Sequence, residues 1–303
     1  MSATPTSRAT LQAPEGALKL WLTTVGPDQA PAAVWAMPEG QILLASYDTD
    51  GAISRTTTTS STGLQTLDLV QPLPDGRWLL VDSRAPFSII DGTARNGVLV
   101  AWTGDHLADE CLGDAIDHVV ASAGGAIWTG YWDEATTGET PAQMIGASGL
   151  VRWSGQLEGE WSYDAPSDGS WIVNCDALTL DGERAVACVE AYLPASDEQA
   201  SRVIVVDGDT FTDYAGGVLE AWGVLASGDE IAILGSADDD VLVTLGRLGD
   251  SKVVVSGTTR LDVDPDTLTA RVCRGDTLHL FEGDRWSTLT LADLQADRTA
   301  VAG

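Results

Sequence analysis

Leu178-Thr179-Leu180-Asp181-Gly182-Glu183-Arg184-Ala185-Val186-Ala187-Cys188 reads as a β-hairpin: an apolar run, an Asp-Gly turn, and a second apolar run. Glycine in such a turn supplies the positive φ that a side chain would resist. The unit recurs at Glu39-Gly40, Asp75-Gly76, Gly124-Gly125, Gly228-Asp229 and Gly275-Asp276, each flanked by short apolar runs such as Arg77-Trp78-Leu79-Leu80-Val81 and Glu230-Ile231-Ala232-Ile233-Leu234. Successive turns lie 36 to 57 residues apart, bracketing the roughly 40–50 of a four-stranded repeat. Between them falls a second punctuation: Val98 to Asp105, Leu150 to Gly155 and Val203 to Asp209 each read as a third strand closing on a tight turn, with Leu242 to Asp250 a looser case. Each unit therefore holds strand A, a Gly turn, strand B, a variable loop, strand C, a tight turn and strand D.

That unit is a propeller blade. Six turns predict an all-β fold, a six-bladed β-propeller of four-stranded antiparallel blades, with seven blades as the second choice. Residues 1–16 read as a polar, disordered N-terminal tail and residues 17–303 as a single propeller domain closed by an N-terminal strand. The segment expected to close the ring is Leu18 to Thr24, as outer strand of the last blade.

The 303 residues carry 45 Asp and Glu against 16 Lys and Arg, a formal charge of −29. A nucleic-acid binder or an anionic-lipid binder needs a basic footprint, and this chain offers none. Only Lys19 and Lys252 are lysines, and an excess of carboxylate with so little lysine suits a bacterial source with a charge that serves solubility. No apolar run reaches membrane-spanning length. The four cysteines form no C-x-x-C pair, so free thiols and a cytoplasmic location are expected.

In a propeller the A–B and C–D turns share one face, and the B–C loops share the other, here called the top. Three consecutive blades carry long B–C segments: Ser83 to Asn96, Trp132 to Ser148 and Ala191 to Ser201. Long loops in a compact domain commonly carry function. Counting back eight residues from the second residue of each A–B turn lands on Asp68, Asp117 and Asn174 in those same three blades, and on Ala32, Ala221 and Leu268 in the others. Three oxygen-bearing side chains at one strand position are the candidate ligands for a divalent cation such as Ca²⁺; His118 and Asp176 lie beside two of them. A third concentration is Tyr131, Trp132, Asp133 and Glu134, where paired carboxylates beside aromatics have the parts for acid–base chemistry if burial raises one pKa. Asp82, Arg84 and Glu190 end strand B in neighbouring blades and complete the expected ligand-binding set with His118. Asp262 to Asp266 lacks the glycine and terminal glutamate of an EF-hand loop. Neither a nucleophile elbow nor a phosphate loop occurs.

Ile127-Trp128-Thr129-Gly130-Tyr131-Trp132-Asp133-Glu134, followed by Gly149-Leu150-Val151-Arg152-Trp153, resembles a pattern in a group of uncharacterised bacterial propeller-like proteins. The resemblance spans roughly residues 65 to 160 and implies the fold without supplying an activity. By position class alone, the Asp68, Asp117 and Asn174 set is also similar to gluconolactonase-like propellers, which implies a divalent metal near the channel. The expected function is a binding propeller whose top-face pocket, built by blades two to four, takes a small polar or cationic ligand or a protein. The alternatives are a hydrolase or lyase using a divalent metal or the Asp133 and Glu134 carboxylates, and an inert scaffold.

Overall fold

Six antiparallel blades stand around one axis in the computed structural model, which describes residues 2–59, 63–85, 87–88, 92–218, 220–237 and 240–299. Blade two is Leu69–Pro72, Trp78–Val81, Gly97–Val100 and His106–Glu110. Blade three is Ile116–Ala121, Ile127–Tyr131, Leu150–Trp153 and Gly159–Ser162. Blade four is Trp171–Asp181, Arg184–Leu193, Glu198–Asp207 and Thr210–Ala215. Blade five is Gly223–Ser227, Glu230–Ala237, Asp240–Leu248 and Val253–Leu261. Each inner strand touches the inner strand of the next blade, and blade six returns to blade one, so the ring closes. This is a six-bladed β-propeller; the seventh blade is not formed.

Two expectations about the N-terminus are overturned. The segment read as a disordered tail at 1–16 is, over its described residues 2–16, not one: Thr6–Thr10 pairs antiparallel with Arg285–Thr290 and completes blade six, behind Ala270–Arg274 and Thr277–Glu282. Ser2–Ala3 adds a short parallel strand to blade five. The expected closing strand, Lys19–Val25, is instead the inner strand of blade one, followed by Pro31–Ala36, Ile42–Tyr47 and Ile53–Thr59. The A–B turn of blade one is therefore Gly26 to Ala30, where Gln29 rather than glycine takes φ 66°. Glu39-Gly40 is a B–C turn on the opposite face.

Among the described residues, the buried apolar side chains fall into six clusters, one between each pair of adjacent blades. Strands alternate a face towards each neighbouring blade, so every blade is half of two cores. Tryptophans serve these seams: Trp78 lies between blades one and two, Trp128 between three and four, and Trp286 between six and one. At about 1.5–3 kcal/mol for each fully buried large apolar side chain, the seams outweigh any surface ion pair.

The ring is latched where chain ends meet. On the Gly-turn face, the buried Arg274 of blade six donates from Nε to the Gly26 carbonyl at 3.2 Å and from Nη2 to the Val25 carbonyl at 3.5 Å. Gln29 reaches back, its amide donating to the Arg274 carbonyl at 3.2 Å and its Oε1 lying 2.9 Å from His279 Nε2. Trp286 Nε1 donates to His279 Nδ1, which leaves Nε2 as the protonated nitrogen of a neutral imidazole. Burial, with Arg274 and Arg8 nearby, depresses His279 to about 3.

After strand C of blade six, Leu291–Thr299 forms a helix instead of a fourth strand. Thr290 and Asp293 cap it reciprocally: the Asp293 amide donates to Thr290 Oγ1, and the Thr290 amide donates to Asp293 Oδ2. Leu291 and Leu294 bury into the seam of blades five and six.

Candidate functional site

The inner strands open on the top face into a cavity of about 1,030 Å³ at the channel mouth. Its wall is unusual in backbone terms. Three of the six inner strands carry a β-bulge near their top ends, and the unpaired residues there include Trp21, Asp117 and Asp176. All three line the cavity. A bulge inserts one residue into the pleat and re-aims its side chain, which is why bulges recur beside binding sites. Glu220, at φ 56°, lines the same wall from the segment entering blade five.

Charge is divided around the mouth. Asp117, Asp176 and Glu220 come from blades three to five, while Lys19 and Arg271 come from blades one and six. Burial raises the Asp176 carboxyl to about 7, and Glu190, Asp117 and Glu220 push it the same way. His118 Nε2 lies 3.2 Å from Asp117 Oδ2 yet is not aligned to bond it, leaving that nitrogen buried without a hydrogen-bond partner. The Arg271 guanidinium stands 4.5 Å over the Trp222 ring, whose Nε1 is likewise buried and unpartnered.

Of the expected site residues, Asp68, Asp117 and His118 line this cavity. Asp68 is already committed. Burial would raise its carboxyl, but bonds from the Ser83 amide, the Ser83 hydroxyl and the Thr66 hydroxyl outweigh that and hold it low. Asn174 is turned elsewhere: Oδ1 accepts the Asp133 amide at 2.8 Å and Nδ2 donates to Glu190 Oε2 at 2.8 Å. The bulges at Val173 and Asp176 break the simple count of eight, so Asp176 occupies the wall position assigned to Asn174. Asp68, Asp117 and Asn174 are thus not gathered as one ligand set. Among the described residues no three His, Cys, Asp or Glu side chains form a metal-binding group.

The Tyr131 to Glu134 segment does not line the cavity either. Tyr131 is fully buried, and its hydroxyl bonds the Leu112 carbonyl and accepts from Thr129 Oγ1. A Cβ at Gly146 would come within 2.6 Å of its ring, so Tyr131 is a packing post for the blade-three loop. Burial drives its phenol far above the ordinary value. Trp132 packs between blades two and three.

Asp133 and Glu134 open the short helix Asp133–Thr136 and are both exposed, so they lack the apolar burial that acid–base work requires. Glu134 is ion-paired with Arg84, which also holds Asp114 at 3.1 Å, tying the blade-two loop to the blade-three loop. Asp82 is buried and accepts the Thr66 and Arg84 amides.

The blade-four segment Ala191 to Ser201 is largely strand, with a four-residue turn between Leu193 and Glu198. Part of the blade-two segment, at 86 and 89–91, lies outside the described residues, as do 238–239 in the short loop of blade five. Sequence counting placed Asp176 only beside a candidate position, and missed Trp21, Glu220, Trp222, Lys19 and Arg271 as wall residues. Once Lys19–Val25 is placed as an inner strand, the count of eight from Gln29 reaches Trp21.

No family model matches the chain, and no curated protein matches it. Among solved structures, the chain is similar to the PQQ-bound aldose sugar dehydrogenase of Streptomyces coelicolor, at 12% identity over 94% of this chain and 96% of that one, TM-score 0.49. It is similar to the β-propeller domain of the Trilobed protease of Pyrococcus furiosus, at 10% identity over 89% and 79%, TM-score 0.43. A functionally unknown protein of Desulfotomaculum acetoxidans gives 11% identity over 91% and 86%, TM-score 0.49. Function here rests on this chain's own residues.

No described helix is long and apolar enough to cross a membrane. All four cysteines are free. Cys175 pairs with Val189 and Cys188 with Ala177, so those two thiols sit diagonally in one hairpin.

Proposed function

We propose that the chain is a binding propeller that holds a small polar ligand in the top mouth of its central channel. The observation that carries this reading is the set of three inner-strand bulges whose unpaired residues, Trp21, Asp117 and Asp176, all face one cavity. Regular pleating would satisfy the backbone better, so three departures at one level of the ring point to a site. Carboxylates beside tryptophan faces favour an amine or a polyhydroxylated molecule over a plain anion.

A hydrolase or lyase built on Asp133 and Glu134 finds less support, because both are exposed and Glu134 is spent on Arg84. A metal held by Asp68, Asp117 and Asn174 finds less support as well, since Asp68 and Asn174 are engaged in the loops.

The test is a thermal-shift panel of primary amines, quaternary amines and sugar alcohols at pH 8. Members of the panel should raise the melting temperature of the wild type and of Asp133→Asn, and do so less for Asp117→Asn. Stabilisation that survives Asp117→Asn but vanishes in Asp133→Asn would move the site off the channel and onto the loop.

A further inference from the structure

Charges of both signs line the channel mouth without neutralising one another. Asp176 and Glu220 have no ion pair among the described residues, and neither do Lys19 and Arg271. In a chain with only 16 cationic side chains, Lys19 and Arg271 stand exposed on one side of the mouth, with exposed Glu220 and half-buried Asp176 on the other, so the mouth offers open charge of both signs to a ligand. The side chains that push Asp176 upward are Glu190, Asp117 and Glu220, all carboxylates. The gap between the two half-rings is the cavity itself.

Resting on the reading of this mouth as a ligand site, we propose that its ligand is bipolar, an amino-acid-like zwitterion with an ammonium group at one end and a carboxylate at the other. The ammonium lies against Asp117, Asp176 and Glu220, where it supplies the missing counter-charge. The carboxylate lies against Arg271, with Lys19 on the same half of the ring. Trp222 fits that assignment: its ring carries the Arg271 guanidinium and holds that cation at the mouth, where a carboxylate can meet it. Trp21, exposed within the cavity, offers its face to the aliphatic middle of the ligand.

A consequence follows at Asp176. Asp117, Glu190 and Glu220 face it from blades three, four and five, and His118 stands beside Asp117. Burial and the three carboxylates keep a proton on it into the neutral range. An arriving ammonium favours the ionised form and displaces that proton, so affinity rises as pH increases through about 7.

The experiment is calorimetric titration of the full chain, at low salt in a buffer free of amines and zwitterions. The probes are four compounds of one length: 6-aminohexanoate, 1,6-diaminohexane, hexanedioate and 1,6-hexanediol. The bipolar probe should bind about tenfold more tightly than the diamine or the diacid, the diol weakest. Asp176→Asn should weaken 6-aminohexanoate and the diamine but spare hexanedioate; Arg271→Gln should weaken 6-aminohexanoate and hexanedioate but spare the diamine. Affinity for 6-aminohexanoate should be higher at pH 8 than at pH 6.

If the diamine binds as tightly as 6-aminohexanoate, or if Arg271→Gln changes neither, the bipolar assignment is overturned while the channel-mouth reading stands on the diamine and its Asp176 dependence. If none of the four binds at millimolar concentration, the bipolar assignment is again overturned. The mouth as a site is then decided by the sugar alcohols of the thermal panel.

Discussion

The two ends of the same inner strands treat charge in opposite ways. On the Gly-turn face, Arg274 is buried, yet two of its donors meet the Val25 and Gly26 carbonyls, and Gln29 links its backbone to a neutral His279. On the top face, Asp176, Glu220, Lys19 and Arg271 share a cavity and none is ion-paired among the described residues. Bottom-face polar groups complete the ring. At the mouth itself Glu190, Asp117 and Glu220 raise the energy of an ionised Asp176. A charge satisfied by its own backbone is read as architecture, and a charge left open at a bulge is read as a place for a ligand.

The largest effect should come from the closure. Deleting residues 1–11 removes the outer strand of blade six and the fully buried Leu11, and should cost on the order of 3–5 kcal/mol in urea denaturation. Deleting residues 1–4 removes the two-residue parallel pairing, the buried Ala3 and its carbonyl bond from the Asp262 amide, and should cost about 1–2 kcal/mol. Equal midpoints for the two truncations would contradict Thr6–Thr10 as the closing strand. Next in size, Arg274→Met should cost about 2–3 kcal/mol by stranding the carbonyls of Val25 and Gly26. It should leave channel-mouth binding intact, and a binding loss in the folded variant would blur the contrast between the two faces.

His279 sharpens the same contrast through pH. Its folded pKa of about 3 lies below the ordinary 6.5, so the unfolded chain takes up a proton first as pH falls. The stability this histidine contributes is fully present above 6.5 and is lost towards 3, at roughly 1.4 kcal/mol per pH unit. His279→Gln should flatten that part of the acid limb in a pH series of urea denaturation curves. An unchanged limb would mean the imidazole is not buried neutral.

Much of the ring was legible because glycine turns advertise themselves. Asp75-Gly76, Gly124-Gly125, Asp181-Gly182, Gly228-Asp229 and Gly275-Asp276 are all A–B turns in the structure. Blade one escaped because its A–B turn has Gln29 in the left-handed position, flanked by prolines, while a glycine marks its B–C turn instead. The closing strand Thr6–Thr10 carries no apolar run, since an outermost strand needs little burial, and its pattern is almost wholly exposed.

The site was half legible. Asp117 and His118 fell at the right level, but a count along a strand cannot see a bulge, and two bulges in blade four put Asp176 where Asn174 was expected. Tyr131 looked like a site residue because burial and function both favour an aromatic beside acids. The hydroxyl's bond to Leu112 decides for burial.

The smallest expected effect is also the most direct test of the claim that the top-mouth charges are held for a ligand and not for the fold. Asp176 has a folded pKa raised to about 7 from 3.8, so its contribution to stability is fully present below 3.8 and is lost as pH rises towards 7. Neutralising it should therefore stabilise the ligand-free protein. Measured by thermal denaturation at pH 8, Asp176→Asn should melt above wild type by about 2–4 °C, and the gap should close as pH falls to 4. A variant that melts below wild type at pH 8 would show that Asp176 is a structural partner, and would contradict the account.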